Sequence, residues 1–319
     1  MKILITGITG VLGSKLAKKF SQVGQIHGLK RANANFSLIE KNLPIIWHEG
    51  DLLDPISLED ALKGIDLVIH AAGLVSFDNK DRELLNKVNW EGTANLVNAM
   101  LEKGVKKLIH VSSVAALGKS PEQNLIDENQ QWINSPLNTP YAVSKHFGDL
   151  EVWRAVQEGL QALVVHPSVI LTKISDQRSS AQVYDYVLTE KSYYPLGTIN
   201  YIDVRDVVSL IFQLFQKEVW NESVILNANS ISYKDFFATM AKVFGKTAPS
   251  KPVTSFLLKI ALFTQGIGKI FGLVKTPLNK QVAMMSQLQV IMDNSKVKSL
   301  IPYEFIPLEK SFHWALSNE

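Results

Sequence analysis

Short runs of consecutive apolar residues punctuate the first half of the chain. KILIT (2–6) is followed by QIHGL (25–29), PIIW (44–47), DLVIHAA (66–72), KLIHVSS (107–113) and ALVVHPS (162–168). Between these runs the apolar positions change to helical spacing, as in GSKLAKKFSQVG and NWEGTANLVNAMLEKG, the second closed by Gly104 where a helix C-cap is expected. Apolar runs without polar alternation predict strands buried on both faces, and strand–helix repetition implies crossover connections between parallel neighbours. The pattern predicts a Rossmann-type α/β fold, a doubly wound parallel sheet.

After His166 the rhythm changes. Residues 169–200 offer few clear strands, YIDVRDVVSLIFQLFQK reads as one more helix, and SVILNAN (223–229) reads as a strand returning to the sheet. From Ser232 the chain reads as mostly helical, beginning at the capping pattern Ser232-x-x-Asp235. The expected organisation is a dinucleotide-binding domain of residues 1–168, with 201–229 returning to it, and a smaller substrate domain of 169–200 and 230–319.

Composition narrows the partners. With 319 residues and 46% hydrophobic content the chain can bury a full core. Its 33 basic and 30 acidic side chains are too evenly balanced for a nucleic-acid footprint, so a small molecule is the expected partner. The absence of cysteine excludes disulfides, thiolate metal sites and cysteine nucleophiles. Only three apolar residues separate Met1-Lys2 from Thr6, which is no secretory h-region, and a cytoplasmic enzyme is expected. The apolar segment 254–274 is interrupted by Lys259, Gln265 and Lys269. It falls short of the roughly 20 apolar residues of a membrane span, and a role covering a pocket or core is expected.

Three glycines follow the first strand at a spacing with a physical use. Gly7 permits the tight turn, Gly10 lets the backbone approach a pyrophosphate, and Gly13 lets the following helix pack against the strand. Thr9, Val11 and Leu12 complete the loop, whose helix end offers free N–H groups to phosphate. Beyond the second strand an NAD site usually carries an acidic residue, whereas this chain has Lys30 and Arg31. A basic pair there attracts a 2′-phosphate, so NADP is favoured over NAD. Asp51, with Leu52 beside it, ends the next run; it has either an adenine contact or a turn role.

The candidate chemistry lies further on. Tyr141 and Lys145 share a helix face at i and i+4, so a cation stands near a phenol and favours its ionised form. Ser112 and Ser113 end the run KLIHVSS, at the sheet edge where α/β proteins bind ligands, and a hydroxyl there can steady a carbonyl oxygen. His70, His110 and His166 show no metal-ligand spacing and are expected to be structural, Asp206 is expected to cap a helix, and Arg205 to pair nearby or reach the pocket.

TGITGVLG, GDLLD, HAAG, NWEGTANL, HVSSVAALG, YAVSK and HPSVI occur in one order over residues 1–230, and together they resemble the extended short-chain dehydrogenase/reductase family. The pattern is similar to dihydroflavonol-reductase-like and 3β-hydroxysteroid-dehydrogenase-like members. The resemblance implies Tyr141 as proton donor or acceptor, Lys145 as its electrostatic partner and ribose ligand, and Ser113 rather than Ser112 as carbonyl binder. It also implies that Ala71, Ala72 and Gly73 pass close to the cofactor, that Asn89 lies behind the site, and that Pro167, Ser168 and Val169 border the nicotinamide. A homodimer through sheet-flanking helices is a further implication. Sugar-nucleotide members carry an arginine where this chain has Ile199, and an Asn and a Gly that HPSVILT lacks. Those departures favour reduction of a small, fairly apolar aldehyde or ketone by NADPH, with a nucleotide-sugar epimerase or dehydratase using tightly bound NAD as the alternative.

Overall fold

In a computed structural model of the protein the described residues are 1–119, 122–176, 181–260 and 280–317. The part of the 254–274 segment beyond residue 260 lies outside them, and so does the role expected of it. No helix among the described residues is long and apolar enough to cross a membrane.

The first half alternates strands β1 (Lys2–Thr6), β2 (Gln25–Lys30), β3 (Ile45–Glu49), β4 (Leu67–His70), β5 (Lys107–Val111) and β6 (Gln161–Pro167) with helices α1 (Val11–Phe20), α2 (Pro55–Ala61), α3 (Gly92–Lys103) and α4 (Pro140–Gln157). The chain continues through β7 (Val169–Leu171), α5 (Ala181–Leu188), β8 (Thr198–Asp203), α6 (Val204–Gln216), β9 (Glu222–Leu226), β10 (Asn229–Ser232), α7 (Tyr233–Phe244) and α8 (Leu308–Leu316). Seven strands form one parallel sheet in the order β9-β6-β5-β4-β1-β2-β3.

Strand alternation explains why the runs are apolar throughout. Ile3, Ile5, Ile69, Ile109 and Val165 enter a core with α1 and α6, while Leu4, Val68, Leu108 and Val164 enter a second core with α2, α3 and α4. Each fully buried aliphatic side chain contributes about 1.5–3 kcal/mol, so both faces must be apolar for the sheet to be covered on both. At the end of α3, Gly104 adopts φ +71°, the left-handed cap read from the sequence.

A third core joins Leu171, Tyr184, Ile199, Phe236 and Phe312, drawn from β7, α5, β8, α7 and α8. We propose that this core marks the smaller of the two parts, 169–200 with 230–319, beside 1–168 with 201–229. β8 pairs in parallel with β7 and antiparallel with β10, giving a separate three-stranded sheet. Two short parallel pairs, Tyr193–Tyr194 with Lys251–Pro252 and Leu125–Ile126 with Ile291–Met292, tie the C-terminal half to earlier chain.

Three local expectations change. The run read as a helix from Tyr201 opens as strand, and α6 begins only at Val204. The cap expected of Asp206 therefore falls to Asp203, whose carboxylate accepts the Arg205 N–H at 2.8 Å. Asp206 instead lies buried in the first turn, accepting from the Tyr303 hydroxyl at 2.8 Å and the Ile306 N–H at 3.1 Å; burial pushes its carboxyl up to about 6. SVILNAN is two strands rather than one, because Asn227 leaves the sheet and donates to the Met292 carbonyl and the Ser230 hydroxyl. The capping pattern at α7 is as read: Ser232 Oγ accepts the Asp235 N–H at 3.0 Å.

Candidate active site

The glycine turn is built by steric exclusion. Gly7 has φ +66°, and a Cβ there would lie 2.6 Å from the Ala72 backbone. A Cβ on Gly13 would overlap the Gly7 carbonyl oxygen. The chain after β4 presses against this turn: Ala71 N–H donates to the Thr6 carbonyl at 3.2 Å and Ala72 N–H to Thr6 Oγ1 at 3.3 Å. Gly10 stands at the N-cap of α1 without a side-chain cap, so its helix end keeps N–H groups that no local side chain satisfies. That arrangement, flanked by the half-buried Thr9, Val11 and Leu12, fits the pyrophosphate of a dinucleotide.

Around this cradle the other expected cofactor residues fall unevenly. Lys30 is paired with Glu49 on the neighbouring strand at 3.0 Å, and the two sit opposite each other in the β2–β3 register. Arg31, one residue beyond β2, is exposed and has no carboxylate partner among the described residues. Asp51 closes a turn, its Oδ1 accepting the Leu53 N–H at 2.9 Å, and Leu52 is buried in the core between sheet and helices. Pro167 ends β6, Ser168 follows with a buried hydroxyl that finds no partner among the described residues, and Val169 is exposed. An unsatisfied buried hydroxyl at this edge fits a ligand that brings a hydrogen-bonding group to it.

The second cluster is made of side chains. Ser113 lies just past β5, and its Oγ accepts the Ala115 N–H at 3.2 Å, capping a short 3₁₀ turn. The Ser113 hydroxyl faces the Tyr141 phenol closely enough to act on its ionisation, and Lys145 Nζ donates to the Val111 carbonyl at 3.0 Å. Thr139 caps α4 by accepting the Ala142 N–H at 3.1 Å, and Pro140 occupies the first turn, so the helix begins immediately before Tyr141. Burial pushes the Tyr141 phenol above its ordinary value of 10.0; the Ser113 contact works against that shift and the Asp149 charge adds to it. Lys145 is not among the groups that shift the Tyr141 phenol in this arrangement; its ammonium keeps its charge and gives one of its hydrogen bonds to the Val111 carbonyl.

Ser112 points the other way, as strand alternation requires, and donates to Asp149 Oδ2 at 2.8 Å. Asn89 pins the loop after β4: Oδ1 accepts the Leu74 N–H at 2.8 Å, and Nδ2 donates to the Leu74 carbonyl and to Ser144 Oγ. A Cβ on Gly73 would lie 3.3 Å from that Asn89 oxygen. His70 is buried between Thr6 Oγ1 and Thr93 Oγ1, and His166 Nδ1 donates to the Ser113 carbonyl at 3.1 Å. No group of three or more metal-binding side chains occurs among the described residues. Arg205 forks onto Asp203 at 2.9 and 2.7 Å and lies 4.3 Å from the Trp314 ring, so it pairs nearby.

Sequence reasoning missed two neighbours of this cluster. Phe77 packs its ring against that of Tyr141 at 5.9 Å, on a loop whose periodicity carries no signal. Asp149 lies four residues after Lys145, a spacing that places it on the same helix face and could have been read from YAVSKHFGD.

The family model described as "NAD dependent epimerase/dehydratase family" matches residues 3–227. A protein of Synechocystis sp. carrying the provisional name dihydroflavonol 4-reductase is 29% identical over 260 residues, covering 79% of this chain and 75% of its own. Cinnamoyl-CoA reductase 1 of Oryza sativa subsp. japonica is 26% identical over 305 residues, 88% of each chain. The crystal structure of gox2253 superposes with a TM-score of 0.83 at 28% identity, covering 98% of this chain and 96% of that one. The glycine cradle, the seven-stranded parallel sheet and these matches together make the chain a member of the NAD dependent epimerase/dehydratase family, within the extended short-chain dehydrogenases/reductases.

Proposed function

We propose that the protein is an NADPH-dependent reductase of a small, fairly apolar aldehyde or ketone. The observation that carries this reading is the hydroxyl pair Ser113–Tyr141, set beside Lys145 at the carboxyl edge of the sheet. When bound, the nicotinamide supplies a hydride. Gly7, Thr9, Gly10, Val11, Leu12 and Gly13 would hold the pyrophosphate, Ala71, Ala72 and Gly73 would line its path, and Asp51 and Leu52 would face the adenine. Lys145 would hold the ribose, and Pro167, Ser168 and Val169 would border the nicotinamide.

The chain's own residues then have separable tasks. Ser113 Oγ accepts from Ala115, and its hydrogen, directed at the Tyr141 oxygen in this arrangement, would turn to donate to a substrate carbonyl oxygen. Tyr141, kept protonated by burial, gives its proton to that oxygen as negative charge develops. Lys145 would turn from the Val111 carbonyl toward the ribose and the phenolate left behind. The exposed Phe77, its ring against that of Tyr141, gives the site an apolar neighbour, which favours an apolar carbonyl compound.

For the cofactor, the engagement of Lys30 by Glu49 leaves Arg31 as the cation best placed for a 2′-phosphate. Against the sugar-nucleotide reading, Ile199 is 3% exposed and packed among Leu171, Tyr184 and Phe236, so no cation stands at that position. Tyr141→Phe should lower NADPH oxidation with a small aromatic aldehyde such as benzaldehyde by about 10²–10⁴-fold, the usual worth of a positioned general acid. Its NADPH affinity should stay within about twofold, because the phenol hydroxyl contributes to chemistry more than to binding. Full activity in that variant overturns the reading.

A further inference from the structure

Four consecutive residues at the end of β5 are each gripped by a group on α4 or β6. His110 Nε2 lies 3.1 Å from Asp149 Oδ1, the Val111 carbonyl accepts from Lys145 at 3.0 Å, Ser112 Oγ donates to Asp149 Oδ2 at 2.8 Å, and the Ser113 carbonyl accepts from His166 at 3.1 Å. Asp149 also lies 3.8 Å from His166 through Oδ2. Tyr141, Lys145 and Asp149 follow at i, i+4 and i+8 on one face of α4, and Asp149 is only 6% exposed. A carboxylate that far from water persists only where charge and hydrogen bonds compensate it.

We propose that Asp149 is a positioning residue for this site: through His110 and Ser112 it holds the strand end that presents Ser113 to Tyr141, and it supplies the counter-charge for the buried ammonium of Lys145. The proposal rests on the reading of Ser113, Tyr141 and Lys145 as the reacting set. Lys145 is 3% exposed, and burial works to strip its proton while Asp149 opposes the loss. The other titratable groups around it are Tyr141 and His146 on α4, His70 on β4, His110 on β5 and His166 on β6. Burial drives His70 well below its ordinary value and His110 to about 4, so neither adds a standing positive charge at neutral pH. His110 Nδ1 has no partner among the described residues, which fits a neutral ring donating through Nε2 to Asp149. Tyr141 is held protonated by burial, and Asp149 is left as the anion that faces Lys145.

The test compares wild type with Asp149→Asn and Asp149→Glu, after circular dichroism shows each to be folded. The Lys145 ammonium is followed by NMR titration of isotope-labelled lysine, assigned with Lys145→Arg, without substrate or cofactor. In Asp149→Asn the Lys145 titration should move down by about one pH unit, the size expected for losing one opposite charge a single helix turn away. The alkaline limb of kcat for NADPH-dependent reduction of benzaldehyde should move to lower pH by the same interval, with KM within about twofold. Asp149→Glu should recover the wild-type titration and part of kcat. A folded Asp149→Asn protein with an unchanged Lys145 titration overturns the proposal. Should that variant not fold, Ser112→Ala decides: it removes one hold of Asp149 on the strand end, so amide hydrogen exchange at residues 110–113 should quicken, and exchange unchanged there overturns the proposal. Wild type inactive toward carbonyl compounds would sink the proposed reaction alone, because the lysine titration is read without turnover.

Discussion

The cradle at residues 7–13 and the cluster around Tyr141 lie on the same sheet edge, yet opposite physics makes them. The cradle is specified by what is missing: no Cβ fits on Gly7 or Gly13, and Gly10 offers no side chain to cap its own helix. The cluster is specified by buried polar groups that have to find one another, Ser112 and His110 on Asp149, Lys145 on Val111, Asn89 on Leu74 and Ser144. A site made by exclusion should fail through shape at every pH. A site made of titratable groups should be tunable by pH and by conservative substitution.

The largest effect expected on the cradle side is that of Gly13→Ala. Its Cβ would collide with backbone that cannot swing aside, a strain of the overpacking kind that costs about 1–3 kcal/mol. NADPH affinity should fall at least about 100-fold, since a displaced helix end loses several charge-assisted hydrogen bonds together. Gly104→Ala is the control: its Cβ meets nothing within 4 Å, although the backbone sits at φ +71°. It should cost about 1 kcal/mol of stability and leave cofactor binding alone. Melting curves and fluorescence titration of both variants would break the contrast if they behaved alike.

A smaller effect is expected at the exposed end of the cofactor site. Arg31→Ala should weaken NADPH about tenfold, within the range of a charge-assisted hydrogen bond, and leave NADH unaffected. Lys30→Ala should do less, because Glu49 already holds that ammonium. Equal losses for the two cofactors in the Arg31 variant would defeat the 2′-phosphate argument.

The smallest and broadest effect is acid sensitivity. Burial holds His27, His48, His70 and His110 below the ordinary imidazole value of 6.5, and His27 and His48 stack with a ring nitrogen contact of 2.8 Å. Native forms with depressed values bind fewer protons than the unfolded chain. Their contribution is complete above 6.5 and is lost as the pH falls from there through the native values, which reach about 4 for His110. Asp206 works in the opposite sense: its value is raised from 3.8 to about 6, so falling pH favours its native form across that window. The melting temperature should therefore decline between pH 7 and 5, and replacing His27 and His48 together by Gln should flatten part of the slope. A profile unchanged by that double substitution would remove the pair from the account.

How much was readable follows from which forces are local. The six apolar runs of the first half coincide with strands of the main sheet; five of them are buried on both faces, which leaves no polar alternation to confuse them, while the edge strand β3 keeps Ile46 exposed. Gly104 and Ser232 were readable as caps because a cap is a contact within one turn. Tyr201-Ile202-Asp203 was misread because an apolar strand running directly into an amphipathic helix has no punctuating Gly or Pro between them. Asp206 took its partners, Tyr303 and Ile306, from about a hundred residues away, and no local pattern announces such a contact. The family register implies Ser113 over Ser112, whereas the partner that Ser112 finds in Asp149 needed the packing of α4 on β5.

The route of the chain at the far edge of the sheet has a consequence for engineering. β6 ends at Pro167, the chain leaves to build β7, α5 and β8, comes back as α6 and β9, and departs again at Asn227. The layer that carries the third core is thus two pieces of chain joined to the main sheet at three places. Grafting a relative's outer layer onto this scaffold would need three matched splice junctions, near Ser168, Val204 and Asn227, joined in one design. The last is the hardest to cut, since Asn227 is already tied to Met292, Ser230 and Asn294.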